Sequence, residues 1–197
     1  MNALVLIVIS LPFFFYKLGQ SSLVSWDEAW YAEIAKNINK TGNLFELYFN
    51  GSKYYDHPPF GFWMIALSQK IFGINEFGAR AASAIFAIIA VIFLYLLGKE
   101  FFSKKVGFFS ALALSSAPWF VYRARSGNLD IFLTALFVVT IYLAFKVANN
   151  KKYLLVFSLS LAFLFLTKTM VPFTIIPALI IIFFRSSLFG KKKVIII

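Results

Sequence analysis

The sequence predicts an all-α integral membrane protein with about six transmembrane helices and two further juxtamembrane helices in a long first outer loop, residues 19–76. Three observations carry that prediction. Of 197 residues, 61% are hydrophobic and only 14% charged, whereas a soluble domain is roughly half apolar and a quarter charged. The apolar runs are continuous and show no strand alternation. Runs of about 18 residues or more suffice to cross a hydrocarbon core of about 30 Å, where helices satisfy every backbone group internally. Finally, basic residues gather in alternate loops, the pattern that fixes orientation across a bilayer.

The first span runs from Asn2 to about Leu18 and contains Pro12. It has no basic stretch before it and no small-residue cleavage site after it, so it reads as a retained span and not as a signal peptide. After the polar break from Gly19 to Ser25, Asp27 to Lys40 carries a helical pattern that Thr41-Gly42-Asn43 ends. Ser25 is the expected N-cap, with Glu28 three positions on as its capping-box partner. Trp30, Ile34 and Ile38 recur every four residues, which gives an amphipathic helix lying along the interface. Phe45 to Asp56 reads as irregular, and Pro58-Pro59 opens a short juxtamembrane helix over Phe60 to Phe72. Spans are then expected at about Phe77 to Leu97, Val106 to Tyr122, Leu129 to Val147, Tyr153 to Leu166 and Val171 to Phe184. The end, Lys193-Val194-Ile195-Ile196-Ile197, looks like a basic stop before another span, so the chain is expected to be an N-terminal portion of a longer protein.

A formal net charge of +11 would suggest nucleic acid in a soluble chain, but its distribution points to membrane topology. The clusters Lys99/Lys104/Lys105, Lys146/Lys151/Lys152 and Arg185/Lys191/Lys192/Lys193 alternate along the chain, which puts them and the N-terminus in the cytoplasm and the first loop outside. No RNA-binding motif accompanies them, and no nucleic-acid partner is expected. There is no cysteine, which excludes disulfides and thiolate metal sites. Trp26, Trp30, Trp63 and Trp119 fall near the expected outer boundaries, as an aromatic belt would.

The polar interval from Trp26 to Pro59 holds most of the candidate chemistry. Asp27 and Glu28, at the start of an interfacial helix, are candidate catalytic acids: a carboxylate in low dielectric can serve as a general base. The same spacing also suits a helix cap beside a solvated acid. Asp56 and His57 are acceptable ligands for a divalent metal ion, and His57 is equally a donor to phosphate. Arg123, Arg125 and Asp130 sit at the outer end of two spans, where ionisable groups mark substrate sites or paired charges. Arg125 and Asp130 can pair with each other. The two arginines together exceed what one aspartate neutralises, which favours an anionic partner such as phosphate. Lys168, before Pro172, lies on the same side; it could equally snorkel to the headgroups.

Trp26-Asp27-Glu28-Ala29-Trp30-Tyr31-Ala32, then His57-Pro58-Pro59, then Arg125 and Asp130, then Leu166-Thr167-Lys168 resembles the N-terminal half of the GT-C membrane glycosyltransferases. The likeness is greatest to the bacterial branch that joins protein O-mannosyltransferases and lipid A aminoarabinose transferases. The resemblance implies a GT-C catalytic module over residues 1–197 and a polyprenyl-phosphate sugar donor. It also implies two juxtamembrane helices in the first outer loop. Asp27 matches the acid that activates or positions the acceptor, Asp56 and His57 a stretch linked to phosphate or divalent metal, and Arg125, Asp130 and Lys168 positions near the donor phosphate. Arg123 follows less directly.

The expected function is therefore sugar transfer from a polyprenyl phosphate to a lipid, glycan or protein acceptor on the outer face of the cell membrane. The alternative is a transporter or lipid-binding protein without transferase activity. A transporter would show broken helices with polar groups at the midplane, whereas these charges gather at one face.

Overall fold

The computed structural model describes residues 3–189. Most of it is helical. In chain order it forms α1 (Ala3–Phe15), α2 (Asp27–Thr41), a two-stranded antiparallel hairpin of β1 (Tyr48–Phe49) and β2 (Ser52–Lys53), and α3 (Phe60–Phe72). Then follow α4 (Glu76–Phe101), α5 (Lys104–Ser116), α6 (Pro118–Ala124), α7 (Leu129–Asn149), α8 (Leu154–Phe165) and α9 (Ile176–Phe189).

Helix α2 buries Tyr31, Ile34, Ala35 and Ile38 against α3, as its apolar spacing requires. Two side-chain amides lock the pair: Asn39 Nδ2 donates to Ala66 O at 2.9 Å and Gln69 Nε2 to Ala32 O at 3.0 Å. Gly42 ends α2 in the left-handed conformation at φ 72°, its N–H bonded to Ile38 O. The hairpin, not foreseen within the stretch read as irregular, is tied to α2 by Asn37 Nδ2 donating to Tyr48 O.

Helix α4 is the hub, packed by α1, α3, α5 and α7, while α7 carries α8 and α9 on its far side. It meets α5 at two glycines. A Cβ on Gly107 would lie 2.5 Å from Tyr95 O and 2.6 Å from Lys99 N, so only glycine admits the approach.

Two helices, Glu76–Phe101 and Leu129–Asn149, are long and apolar enough to cross a membrane. The other expected spans are shorter as helices. Val106 to Tyr122 is not one helix: α5 stops at Ser116, and Pro118, which has no N–H to continue the ladder, opens α6. Val171 to Phe184 begins with a 3₁₀ turn, Val171–Ile175, before α9. Arg185's side chain and Lys191, Lys192, Lys193 and the expected span start at Val194 lie outside what is described. Much of the outer surface of α1, α8 and α9 is apolar, with Leu4, Val8, Leu155, Ile180 and Ile181 all exposed, a surface of the kind that hydrocarbon covers.

The expected capping box at Ser25 does not form. Trp26 precedes α2 at φ 72°, a costly conformation for a bulky residue, and no side chain caps the helix. Glu28 turns inward instead and meets Arg80 of α4, each only 4% exposed. Glu28 Oε1 accepts from Arg80 Nε at 2.7 Å and Gly127 N at 3.0 Å; Oε2 accepts from Arg80 Nη2 at 3.0 Å and Val24 N at 2.7 Å. The remaining guanidinium hydrogens reach the carbonyls of Leu18, Ser21 and Ser22 at 2.7–2.9 Å. One ion pair thus joins the segment after α1, the start of α2, the start of α4 and the turn before α7.

Burial pushes the Glu28 carboxyl up, but the hydrogen bonds from Arg80, Val24 and Gly127 prevail and hold it below the ordinary carboxylate value of 4.5. Its contribution to stability is therefore complete above pH 4.5 and is lost as pH falls through the lowered folded value. Glu28→Gln leaves Arg80 buried and unpaired, at a cost of about 3–5 kcal/mol. In the full-length protein at pH 7 its thermal midpoint falls well below wild type, and the gap narrows below pH 4.5. Equal midpoints at pH 7 would show that the pair carries no stability.

Candidate functional site

At the end of the bundle marked by the α2 N-terminus lies a cavity of about 420 Å³. Its wall includes Ser25, Trp26 and Asp27 from the entry to α2, and Tyr122, Arg123, Arg125 and Asn128 from α6 and the turn that follows. Asp27 stands exposed in that wall, one residue from the buried Glu28. The neighbours split the two acids expected to share a catalytic role. Glu28 also touches the cavity but spends both oxygens on Arg80 and the N–H groups of Val24 and Gly127 and is no free base, a correction to the expectation; Asp27 is the exposed carboxylate of the wall.

Arg123 and Arg125 reach the cavity because α6 is short and ends there. The Arg123 guanidinium lies over the Trp119 ring at 4.9 Å, and its buried Nε has no hydrogen-bond partner. Its Nη2 sits 3.5 Å from Asp130 Oδ2. Arg125 Nη1 donates to Phe13 O at 3.1 Å, near the end of α1. The expected pairing of Arg125 with Asp130 is thus replaced. Asp130, in the first turn of α7 behind the N-cap Asn128, is held between Arg123 and Lys168, whose Nζ lies 2.6 Å from Oδ1. Lys168 is consequently anchored toward the site and does not snorkel away from it.

His57 and Asp56 lie in the loop before α3, docked on the Lys168 segment: Thr169 Oγ1 donates to Asp56 O at 3.3 Å and Phe60 N to Leu166 O at 3.0 Å. His57 does not line the arginine cavity. It is edge-on to Tyr31 and Tyr54, with ring centroids 6.0 and 6.5 Å away, and its Nδ1 is buried without a partner. Burial lowers its pKa first and the Lys168 charge second, while Asp56, Asp27 and Asp130 pull the other way; the imidazole is neutral at pH 7. Burial and the charges of Asp27, Tyr54 and Asp130 likewise raise the Tyr31 phenol, keeping it protonated. The charges of Asp27 and Asp130 thus act on both Tyr31 and His57.

Asp56 and His57 supply two potential metal ligands, and among the described residues no group of three or more His, Asp or Glu side chains gathers to hold an ion. This donor set does not make a metal site by itself.

Arg80 escaped the sequence reading. A lone arginine within the apolar stretch Phe77 to Leu97 is the kind of costly charge that calls for a buried partner, but nothing in its spacing names Glu28, which lies 52 residues away.

The fold and the motifs have counterparts. A family model described as dolichyl-phosphate-mannose-protein mannosyltransferase matches residues 56–197. An uncharacterised protein of Aquifex aeolicus is 31% identical over 150 residues, covering 76% of this chain and 30% of the relative. Undecaprenyl phosphate-alpha-4-amino-4-deoxy-L-arabinose arabinosyl transferases are 40% identical over 114 residues in Pseudomonas savastanoi pv. phaseolicola and 37% over 148 in Shewanella sediminis. They cover 57% and 70% of this chain and 21% and 27% of those proteins. The chain therefore spans between a fifth and a third of the length of these relatives. Crystal structures of ArnT from Cupriavidus metallidurans, apo and bound to undecaprenyl phosphate, superpose with TM-scores of 0.80 and 0.81 at 23% and 24% identity. Both cover 92% of this chain and 35% of the other, a likeness of fold. By the family match over residues 56–197, the chain belongs to the dolichyl-phosphate-mannose-protein mannosyltransferase family.

Proposed function

We propose that this chain is the N-terminal, catalytic-face portion of a membrane glycosyltransferase that moves a sugar from a polyprenyl phosphate to an acceptor on the outer side of the membrane. The observation that carries the proposal is the cavity that brings the Asp27 carboxylate together with Arg123 and Arg125, with Lys168 joined to Arg123 through Asp130. Family membership supports the reaction class, and relatives named for undecaprenyl phosphate-linked aminoarabinose support the donor class.

In this reading Asp27 takes the acceptor's proton as the nucleophile attacks the anomeric carbon, and polyprenyl phosphate leaves. The step builds negative charge on the phosphate. Arg123, Arg125 and Lys168 are preorganised to meet it: Asp130 fixes two of them, and Phe13 O fixes the third. His57, neutral, serves as a hydrogen-bond donor or acceptor beside the phosphate. A divalent ion at Asp56 and His57 would need further ligands from substrate, and no step here is routed through one.

The outer loop faces outward in this proposal, six segments cross the bilayer, and α2 and α3 lie at its surface. Hexose and pentose are equally compatible with the groups described.

Three measurements test it. Asp27→Asn removes the base, so turnover by the full-length protein drops about 10²–10⁴-fold while expression and insertion persist; near-normal turnover sinks the assignment. Undecaprenyl phosphate stabilises the wild-type protein in thermal-shift assays, and Arg125→Ala and Lys168→Ala each weaken that stabilisation. A nucleotide sugar that bound in preference to the lipid would defeat the donor class. Residues 1–197 hold no cysteine, so once any cysteine elsewhere in the full-length protein is replaced a single one can be introduced here: Ser52→Cys reacts with an impermeant reagent from outside and Ser103→Cys does not. The reverse pattern overturns the topology.

A further inference from the structure

A second cavity, of about 260 Å³, opens on the other side of His57. It shares no lining residue with the arginine cavity. The hairpin contributes Glu46, Lys53, Tyr54 and Tyr55, the loop before it Phe45, and the far wall is His57 with Thr169. Phe45 and Tyr55 are each 81% exposed, far more than packing requires of aromatic residues.

The charges in this cavity balance. Lys53 Nζ lies 2.7 Å from Glu46 Oε1, and Tyr48 Oη donates to Glu46 Oε2 at 2.9 Å. The pair is therefore held in place by its own hairpin, yet the lysine keeps two N–H donors and the carboxylate keeps free lone pairs. A phosphate gains nothing here that the arginine cavity does not offer better, and an acyl chain would strand the polar groups. The imidazole of His57 and the side chain of Thr169 complete the wall. Burial raises the Tyr54 phenol to about 12, so it enters as a neutral hydroxyl. Aromatic walls with neutral and charge-balanced hydrogen-bonding groups suit a ligand that is uncharged, rich in hydroxyls and apolar on its ring faces.

We propose that the Phe45–Tyr54–Tyr55–His57 cavity is a saccharide subsite that takes one sugar ring. This rests on the transferase reading above and deepens it. Two sources share that chemistry: the sugar carried by the donor, and a ring of a glycan or glycolipid acceptor. Lys168 and Thr169 are adjacent in the chain, one bonded to Asp130 beside the arginine cavity and the other lining this one, so a ring here lies next to the phosphate-binding groups.

The test is saturation-transfer NMR on the full-length protein in nanodiscs, with methyl α-mannopyranoside and methyl β-arabinopyranoside as probes. Transfer to at least one glycoside is expected in wild type. It should fall by between about twofold and tenfold in Phe45→Ala/Tyr55→Ala, the worth of an aromatic contact, while undecaprenyl phosphate still binds the variant as it does wild type. Displacement of the glycoside by a sugar-bearing undecaprenyl phosphate, but not by undecaprenyl phosphate, assigns the ring to the donor; persistence in the presence of both assigns it to the acceptor. Equal transfer in wild type and variant, or none in wild type, overturns the subsite and leaves the transferase reading intact so long as undecaprenyl phosphate binds. Failure of undecaprenyl phosphate to bind wild type counts against the transferase reading itself.

Discussion

The ion pair between Glu28 and Arg80 is the constraint on which the rest of the site depends. Both groups are withdrawn from water, and such a pair survives only if nearly every donor and lone pair is satisfied. Satisfying them recruits backbone from two further segments: the carbonyls of Leu18, Ser21 and Ser22 with the N–H of Val24 between α1 and α2, and the N–H of Gly127 before α7. The segments recruited are those that carry Asp27 and, through the turn at Gly127, Arg125 and Asp130. The fit at Gly127 is close, since a Cβ there would lie 2.8 Å from Ala79 O. The energetic cost of burying charge is thus converted into the placement of exposed charge a few ångströms away.

The strained backbone at Trp26 belongs to the same account. A tryptophan at φ 72° costs on the order of 1–3 kcal/mol, and it stands immediately before the residue that faces the cavity. The clamp fixes the chain on either side of it, at Val24 and Glu28.

Much of this was legible in the sequence, and the failures have identifiable causes. Helix α3 begins and ends where Pro58-Pro59 and the apolar run place it, because proline at a helix start and glycine at its end are local signals. That Asp27, Arg123, Arg125, Asp130 and Lys168 gather at one end of the bundle was readable from the alternation of apolar runs and loops, since charge at the end of an apolar run is rare enough to be informative. The partners were not. Arg125 and Asp130 are near in sequence, but α6 ends between them, and it is Arg123 that reaches Asp130. Val106 to Tyr122 looked continuous because its hydropathy is, and hydropathy does not register the N–H that Pro118 lacks. Glu28 was misread for a related reason: an acid near a helix start suits a cap, and only the distant Arg80 draws it inward.

The reach of the clamp also bears on what counts as a module. Residues 19–76 look like a separable loop, with their own helices, their own hairpin and most of the acidic groups. Yet Arg80 and Gly127, which hold the Glu28 of that loop, belong to α4 and to the turn before α7. The loop grafted onto another bundle would keep its sequence and its amphipathic faces but lose its bearings. Architecturally the placement of the cavity wall is a property of the scaffold, and the loop is one part of that scaffold.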